Sequence, residues 1–186
     1  LETFEVKYTF GLEPLQQYLI EFPDGRVQSL TIAWDSRPKE EGGQRWYHLY
    51  PDEIIAHDDP LHWTKLQQNW NFMCAECHST GVAKNYDPAT DSFDTPWKEI
   101  RVGCEACHGE GYAHVAWANT WSPFAKKDKA KGLFAAFDER TNVTWTQNQK
   151  TGQPVRDPRP THLRKEVEMC GRCHARRGQI SEAFVP

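Results

Sequence analysis

The sequence has no long hydrophobic run and no strong excess of charge of one sign. Apolar residues nowhere approach the roughly 18–20 consecutive positions of a membrane-spanning helix, so we expect no membrane span. The 186 residues carry a formal net charge of −4, with acidic and basic side chains interspersed. A nucleic-acid partner would call for a basic face, and the sequence therefore predicts no binding to nucleic acid.

Cysteine is absent outside three short motifs. All six cysteines fall in the pattern C-x-x-C-H, with copies at Cys74–His78, Cys104–His108 and Cys170–His174. The opening "LETFEVKYTF" reads as the interior of a strand rather than as a secretory signal peptide. We therefore expect a mature or proteolysed piece of a longer exported protein, with a complete cytosolic protein as the alternative.

The C-x-x-C-H pattern predicts covalent attachment of haem. Two thiols separated by two residues lie about one helical turn apart, which suits thioether bonds to the two vinyl groups of one porphyrin. The histidine that follows then lies under the iron as its proximal ligand. The sequence thus predicts three haems c, with thioethers from Cys74, Cys77, Cys104, Cys107, Cys170 and Cys173 and proximal ligands His78, His108 and His174.

Two other uses of the cysteines are open. Paired cysteines also make structural zinc sites, but zinc needs no histidine after each pair, and three doublets leave one without a partner. With eight histidines in the chain, three trailing histidines by chance have odds of roughly one in ten thousand. Redox-active disulfides within each doublet are the second alternative, but three with a trailing histidine match no known redox pattern.

Aliphatic side chains are modest in number, whereas aromatic ones are abundant. Eight Trp, nine Phe and six Tyr provide flat surfaces that can pack on porphyrin faces. Three haems would supply much of the core, so we predict one trihaem domain over residues 1–186, of α+β class with little regular secondary structure. Residues 1–60 would form its β-hairpin and loop portion, and residues 61–186 its haem-binding portion with short helices that carry the motifs.

Local signals predict the individual elements. Pro23-Asp24-Gly25 is a turn signal between two strand-like runs, because proline presets φ and glycine accepts the left-handed region. Thr161 is a candidate N-cap for the last helix. The predicted elements are a strand at 4–10, a hairpin of 15–22 with 26–34, loops over 35–69, a small hairpin at 85–93, and helices at 111–119 and 161–177.

Five further histidines are candidates for the second axial position on the irons: His48, His57, His62, His114 and His162. His114 follows His108 by six residues, too close to serve the same haem, so we assign it to a neighbouring iron and rank it first. His62 and His48 follow as distal candidates. His57 lies in an acidic loop and is expected on the surface, while His162 is either a ligand or an exposed helix start.

Met73 and Met169 each precede the first cysteine of a motif. A residue at that position faces away from its own iron, so core packing is the predicted role of both. With histidine on both sides of the irons, the reduction potentials should be low, because Met/His ligation raises them.

The motif-bearing segments resemble exported bacterial multihaem c-type cytochromes of the tetrahaem-cytochrome-like group, which have paired C-x-x-C-H motifs. The resemblance is carried by "AWDSRPKEEGGQRWYHLYPDE" (33–53), "QNWNFMCAECHSTG" (68–81), "VGCEACHGEGYAHV" (102–115) and "CGRCHARRGQISE" (170–182). It implies a further C-x-x-C-H motif upstream, and thus that this chain is a fragment. It also implies that His78, His108 and His174 are proximal ligands, and that His114 reaches across to another haem.

The resemblance implies an electron carrier, and relatives with an open haem convert small nitrogen or sulfur compounds. We therefore predict electron transfer through three haems that are mostly or wholly bis-His ligated, in a periplasmic or extracellular protein with redox partner proteins. One alternative is an oxidoreductase with an open-site haem, for which Arg176, Arg177 and His57 are polar candidates. Another is a subunit of a haem-stacked filament, a homo-oligomer or a larger multihaem assembly.

Overall fold

The computed structural model describes residues 2–120, 128–159 and 165–175. These residues divide into two compact units, the first over residues 2–101 and the second over the described part of residues 102–175. The first unit carries one C-x-x-C-H motif and the second carries two. The predicted single trihaem domain concerns the haem-bound protein and stays a prediction.

The first unit is built on an antiparallel sheet whose four strands are neighbours in chain order: β1 (Tyr8–Phe10), β2 (Leu15–Glu21), β3 (Val27–Asp35) and β4 (Arg45–His48). The predicted hairpin of 15–22 with 26–34 is confirmed by the pairing of β2 with β3. Its register shifts once, between Gln17 and Leu19. Of the strand predicted at 4–10, the last three residues form β1.

The turn between β2 and β3 follows the chemistry of its residues. The Asp24 carboxylate accepts hydrogen bonds from the backbone N–H of Arg26 at 3.1 Å and from its Nε at 2.6 Å. Gly25 has a φ of +77°, and a Cβ there would lie 1.9 Å from the carbonyl oxygen of Phe93. Only glycine fits this position, because both the left-handed backbone and the close approach exclude a side chain.

The buried core of the first unit joins the sheet to two short helices, α1 (Trp70–Met73) and α2 (Ala75–His78). Leu19 and Val27 of the sheet pack against Trp70 and Ala75 of the helices, and all four are buried. Burial of each large apolar side chain stabilises the fold by about 1.5–3 kcal/mol. The sheet therefore forms the platform on which the first C-x-x-C-H motif is built.

Strand β4 was not predicted, because residues 35–69 were expected to form loops. In the structure β4 pairs with β3, and Trp46 lies opposite Trp34 with ring centroids 5.2 Å apart. The chain reverses at Gly42 and Gly43, where a Cβ on Gly43 would lie 2.2 Å from the carbonyl oxygen of Arg37. The rest of that segment has two short 3₁₀ turns, at Lys39–Glu41 and Leu66–Gln68.

The small hairpin predicted at 85–93 is confirmed. Strand β5 (Tyr86–Asp87) pairs with β6 (Ser92–Phe93), and the rings of Tyr86 and Phe93 lie 4.9 Å apart. Asp87 holds the intervening turn, because its carboxylate accepts from the backbone N–H of Ala89 at 2.9 Å and from the hydroxyl of Thr90 at 2.9 Å.

The second unit contains three helices and one β-hairpin: α3 (Cys104–His108), α4 (Tyr112–Asn119), β7 (Thr144–Gln147), β8 (Pro154–Asp157) and α5 (Lys165–His174). The helix predicted at 111–119 is confirmed as α4. The helix predicted at 161–177 is seen over Lys165–His174, and its predicted cap Thr161 lies outside the described residues.

Mixed strands and short helices are consistent with the predicted α+β class. Within the described ranges, no helix has both the length and the apolar character that crossing a bilayer requires.

The ion pair at the end of β3 provides a test of how the sheet is held. Asp35 is 4% exposed, and its carboxylate accepts from Arg37 Nη2 at 2.7 Å and Nε at 3.0 Å, which lowers the pKa of this carboxyl. We expect Arg37→Ala to lower the thermal midpoint by roughly 5 °C at neutral pH, because a buried carboxylate loses its partner. The midpoint is measured by circular dichroism.

The pH dependence of the same variant has a definite sign. Since the folded-state pKa of Asp35 is lowered, the pair stabilises the fold above the ordinary carboxyl pKa of about 4 and loses this effect as the pH falls through the folded-state value. The gap between wild type and Arg37→Ala should therefore shrink in acid. Arg101→Ala is the control, since it breaks an exposed pair with Glu99; an equal loss in both variants would contradict the argument.

Candidate functional site

The first C-x-x-C-H motif forms a single helical turn. Cys74 ends α1 and begins α2. Its carbonyl oxygen accepts from the backbone N–H of Cys77 at 3.1 Å and of His78 at 3.0 Å. This turn places the two thiols about one helical turn apart with the imidazole directly after the second, which is the arrangement that attachment of a porphyrin at its vinyl groups requires.

Two asparagines hold the helix that leads into the first motif. The Asn69 side chain caps α1 by accepting from the backbone N–H of Phe72 at 2.8 Å. Asn71 is 3% exposed; its Oδ1 accepts from the Val27 N–H at 2.7 Å, and its Nδ2 donates to the Gly25 carbonyl at 3.1 Å and to Thr95 Oγ1 at 2.9 Å. A single buried amide thus joins the motif to the β2–β3 turn.

The environment of the first motif differs between its members. Burial raises the pKa of the Cys74 thiol to about 11, with a further contribution from nearby Cys77. A thiol that stays protonated at neutral pH is a poor nucleophile in disulfide exchange. His78 is exposed, and its ring lies 5.6 Å from the ring of Phe10, edge to face.

The second motif is the whole of α3. Gly103 precedes Cys104 as the N-cap position, and Gly109, with a φ of +77°, follows His108. A Cβ on Gly109 would lie 2.8 Å from Cβ of Phe134. Glycine therefore allows the chain beyond residue 132 to pack directly against the end of the motif.

A hydrogen bond fixes the orientation of the second motif's histidine. Nδ1 of His108 lies 2.6 Å from the carbonyl oxygen of Ala135. A carbonyl oxygen only accepts, so Nδ1 carries the hydrogen and Nε2 of the neutral ring keeps its lone pair. The ring of Phe137 lies 4.6 Å from the His108 ring. The residues at this motif thus fit a haem, since a lone pair on Nε2 is what a proximal ligand supplies.

The third motif lies on α5, which contacts of three of its residues hold in place. Met169 is buried at 7% exposure, as predicted. Lys165 Nζ donates to the Phe134 carbonyl at 3.2 Å and lies 4.1 Å from the Phe134 ring centroid. Arg140 forms an ion pair with the largely buried Glu166 at 2.6 Å. These contacts anchor the first turns of the helix.

The chemical groups of the third motif face outward. Cys170, Cys173 and His174 are all exposed.

Met73, which precedes the first motif, is 46% exposed. The core-packing prediction is therefore wrong for Met73, because α1 turns this side chain away from the apolar contacts made by Trp70.

Among the distal candidates, His114 has the same chemical form as His108. It lies on α4, and its Nδ1 is 2.8 Å from the carbonyl oxygen of Lys131. The hydrogen is again on Nδ1, which leaves the Nε2 lone pair of the neutral ring for a metal. The ring stacks on Trp117 with centroids 5.6 Å apart and an interplanar angle of 20°.

The other two distal candidates have the opposite form. Nδ1 of His48 accepts from the Tyr50 backbone N–H at 3.0 Å. Nδ1 of His62 accepts from the Thr64 backbone N–H at 3.4 Å and lies 2.9 Å from the Thr64 hydroxyl. The neutral rings therefore carry hydrogen on Nε2. To bind iron through Nε2, each ring must give up its hydrogen bond at Nδ1 and move the hydrogen from Nε2 to Nδ1.

The two remaining histidines lie in an acidic loop and before the last helix. His57 is exposed, as expected for an acidic loop. His162 lies outside the described residues.

The alternatives of zinc and disulfides concern the same cysteines. None of the six cysteines, all of which lie among the described residues, forms a disulfide with another. Across residues 2–120, 128–159 and 165–175, no three or more His, Cys, Asp or Glu side chains form a group that could hold a metal ion.

Comparison with known proteins gives one finding. Residues 44–109, just over a third of the chain, match the family model described as cytochrome c554 and c-prime. The match supports a c-type cytochrome family. Neither the curated proteins nor the solved structures gave a match.

The cytochrome match also supports electron transfer and haem c as the cofactor. The matched residues contain the first and second motifs together with His48 and His62. His114 and the third motif lie outside them.

Sequence reasoning missed the residues that orient the histidines. Ala135 and Lys131 act through backbone carbonyls, which have no side-chain signature. Asn71 acts through a side-chain amide whose backbone partners, Val27 and Gly25, lie more than 40 residues away in the chain, so no local pattern marks it. A local signal did exist for the loop that presents Lys131, since Asp128 followed four residues later by Gly132 is typical of an Asx-type turn.

The buried amide of Asn71 makes a testable contribution to the first motif. We expect Asn71→Ala to lower the free energy of unfolding of the haem-loaded protein by about 2–3 kcal/mol, because the Val27 N–H and the Gly25 carbonyl lose their buried partner. Denaturant titration measures this loss. The free energy of unfolding of Asn71→Asp should lie between those of wild type and Asn71→Ala, since the carboxylate keeps an acceptor for the Val27 N–H. Gln67→Ala, at an exposed amide, is the control and should match wild type. No loss in Asn71→Ala would show that the amide does not anchor the motif.

Proposed function

We propose that this chain is an electron-transfer protein carrying three haems c. Thioethers come from three pairs of cysteines, Cys74 with Cys77, Cys104 with Cys107 and Cys170 with Cys173, and the proximal ligands are His78, His108 and His174. When bound, each haem supplies an iron that gains and loses one electron. The polypeptide supplies attachment, orientation of the ligands and control of water around them.

The observation that carries the proposal is the hydrogen bond from His108 to the Ala135 carbonyl. At 2.6 Å it sets the ring orientation and leaves Nε2 ready to bind a metal. Such bonds from a ligating imidazole to a carbonyl raise the basicity of the ligand. Its position in a C-x-x-C-H motif, within the segment that matches the cytochrome family, supports haem iron as the metal.

The second axial ligands are part of the proposal, with His114 first and His62 and His48 after it. His114 presents its Nε2 lone pair as the structure stands. Axial histidine on both sides of an iron fills its coordination sphere and favours electron transfer over substrate binding. Aromatic rings beside the proximal histidines, Phe10 at His78 and Phe137 at His108, offer apolar surface where porphyrin edges would lie.

The haem-bound protein is proposed to have a haem-filled core within a single domain, and to act outside the cytoplasm, in the periplasm or beyond the cell. Its partners would be redox proteins that give and take electrons. A homo-oligomer or a larger multihaem assembly is compatible with that role. The C-x-x-C-H motifs and the family match support this placement.

Haem content tests the proposal directly. Protein matured in a host that attaches haem c should contain three haems per chain by pyridine haemochrome assay and intact mass. Replacing both cysteines of any one motif with alanine should leave two, because the thioether bonds of that haem are lost. Met73→Ala is the control and should retain three. An intact mass equal to that of the bare polypeptide would contradict the proposal.

A second function, an oxidoreductase with one open haem, has an observation in its favour. His48 and His62 accept hydrogen bonds at Nδ1 and so do not present an Nε2 lone pair. One iron left with a single histidine would have a free position for a small nitrogen or sulfur compound.

Carbon monoxide separates the two functions, because it binds reduced haem iron only where an axial position is free. We expect at most one of the three haems in the reduced protein to bind carbon monoxide, measured as a change in the Soret absorption. One open haem together with turnover of nitrite or hydroxylamine would establish the oxidoreductase. Binding at two or three haems would contradict the mostly bis-His carrier.

A further inference from the structure

One segment of the second unit, Asp128–Phe137, contacts two histidines at once. Its Lys131 carbonyl accepts from Nδ1 of His114 at 2.8 Å, and its Ala135 carbonyl accepts from Nδ1 of His108 at 2.6 Å. The backbone of His108 is held as well, since its carbonyl accepts from the N–H of Phe134 at 3.2 Å and of Ala135 at 3.4 Å. We name residues 128–137 the carbonyl segment.

Asp128 shapes the first half of the carbonyl segment. Its Oδ1 accepts from the Ala130 N–H at 2.9 Å and its Oδ2 from the Gly132 N–H at 2.6 Å. Its carbonyl accepts from the Lys131 N–H at 3.1 Å. Lys131 itself has a φ of +55°. This conformation costs a non-glycine residue energy and persists only where its surroundings enforce it. The carboxylate of Asp128 therefore supports the turn that directs the Lys131 carbonyl at His114.

Gly132 lets that turn reach helix α4. It has a φ of +74°, and a Cβ there would lie 2.4 Å from the carbonyl oxygen of Ala113 and 2.8 Å from the backbone nitrogen of His114. Both atoms belong to the helix backbone, which cannot give way as a flexible side chain can. Any side chain at residue 132 must therefore push the turn and the helix apart.

We propose that Asp128 and Gly132 are positioning residues for His114, which fix its ring by placing the Lys131 carbonyl at Nδ1. This inference rests on the proposed function, in which His114 binds the iron of a haem. The two residues act through the backbone and touch neither the metal nor the porphyrin. The same turn leads directly into Phe134 and Ala135, whose backbone bonds to His108.

The test uses the haem-loaded protein and reads out the coordination of iron rather than activity. His114→Ala is the reference and should bind about one more carbon monoxide per chain than wild type, with one haem turned high-spin in electron paramagnetic resonance. Gly132→Ala should reproduce both changes. Gly152→Ala is the matched control, because its φ is +71° but the nearest atom to its Cβ lies 4.0 Å away; it should match wild type.

A second pair of variants keeps the test decisive if Gly132→Ala does not accumulate. Asp128→Ala removes both carboxylate bonds at an exposed residue and should also open about one haem per chain. Asp128→Asn keeps one acceptor and should show a smaller change. Asp138→Ala removes the same charge just beyond the segment, where the carboxylate has no hydrogen bond or ion pair to any described residue, and should leave iron coordination as in wild type.

The outcomes distinguish the positioning role of Asp128 and Gly132 from the ligation of iron by His114. Opening of one haem in Gly132→Ala and Asp128→Ala, with both controls unchanged, supports the positioning role. Wild-type coordination in these two variants, while His114→Ala opens a haem, overturns that role and leaves ligation by His114 intact. Wild-type coordination in His114→Ala overturns the ligation itself, and with it the positioning role.

Discussion

A hydrogen bond between an imidazole Nδ1 and a backbone carbonyl is the interaction on which the candidate site depends. It is 2.6 Å long at His108 and 2.8 Å at His114. The bond does three things together: it selects the tautomer, fixes the plane of the ring and leaves Nε2 as the free base. Because a carbonyl cannot change roles as a hydroxyl can, this selection does not depend on how neighbouring side chains rotate.

The same interaction explains why the carbonyl segment, residues 128–137, contains neither helix nor strand. A carbonyl inside a helix or sheet is already engaged by a backbone N–H, so a segment that supports imidazoles needs carbonyls that face away from such ladders. The stretch around Lys131 and Ala135 meets this need with turns.

Sequence reasoning succeeded where a signal is local and failed where the partner is distant. The hairpin around Gly25 was predictable, because proline and glycine specify the turn themselves. Strand β4 was not, because Arg45–His48 is too short to be distinguished until β3 pairs with it. The choice of attachment cysteines and proximal histidines, which stays a prediction, follows from spacing alone. The difference between His114 and His62 does not, since it depends on whether Nδ1 meets the Lys131 carbonyl or the Thr64 N–H.

Three copies of one local motif therefore receive three different supports. The first is fixed to a sheet by the buried amide of Asn71, the second by the carbonyl segment, and the third by contacts at the start of a helix whose Cys170 and His174 remain exposed. Burial and hydrogen bonding at the ligands are among the levers by which a protein sets the potential of a haem. In the proposed three-haem protein, identical attachment chemistry would therefore lead to unequal sites. Unequal reduction potentials along such a chain would favour electron flow in one direction, which repetition of the motif alone would not provide.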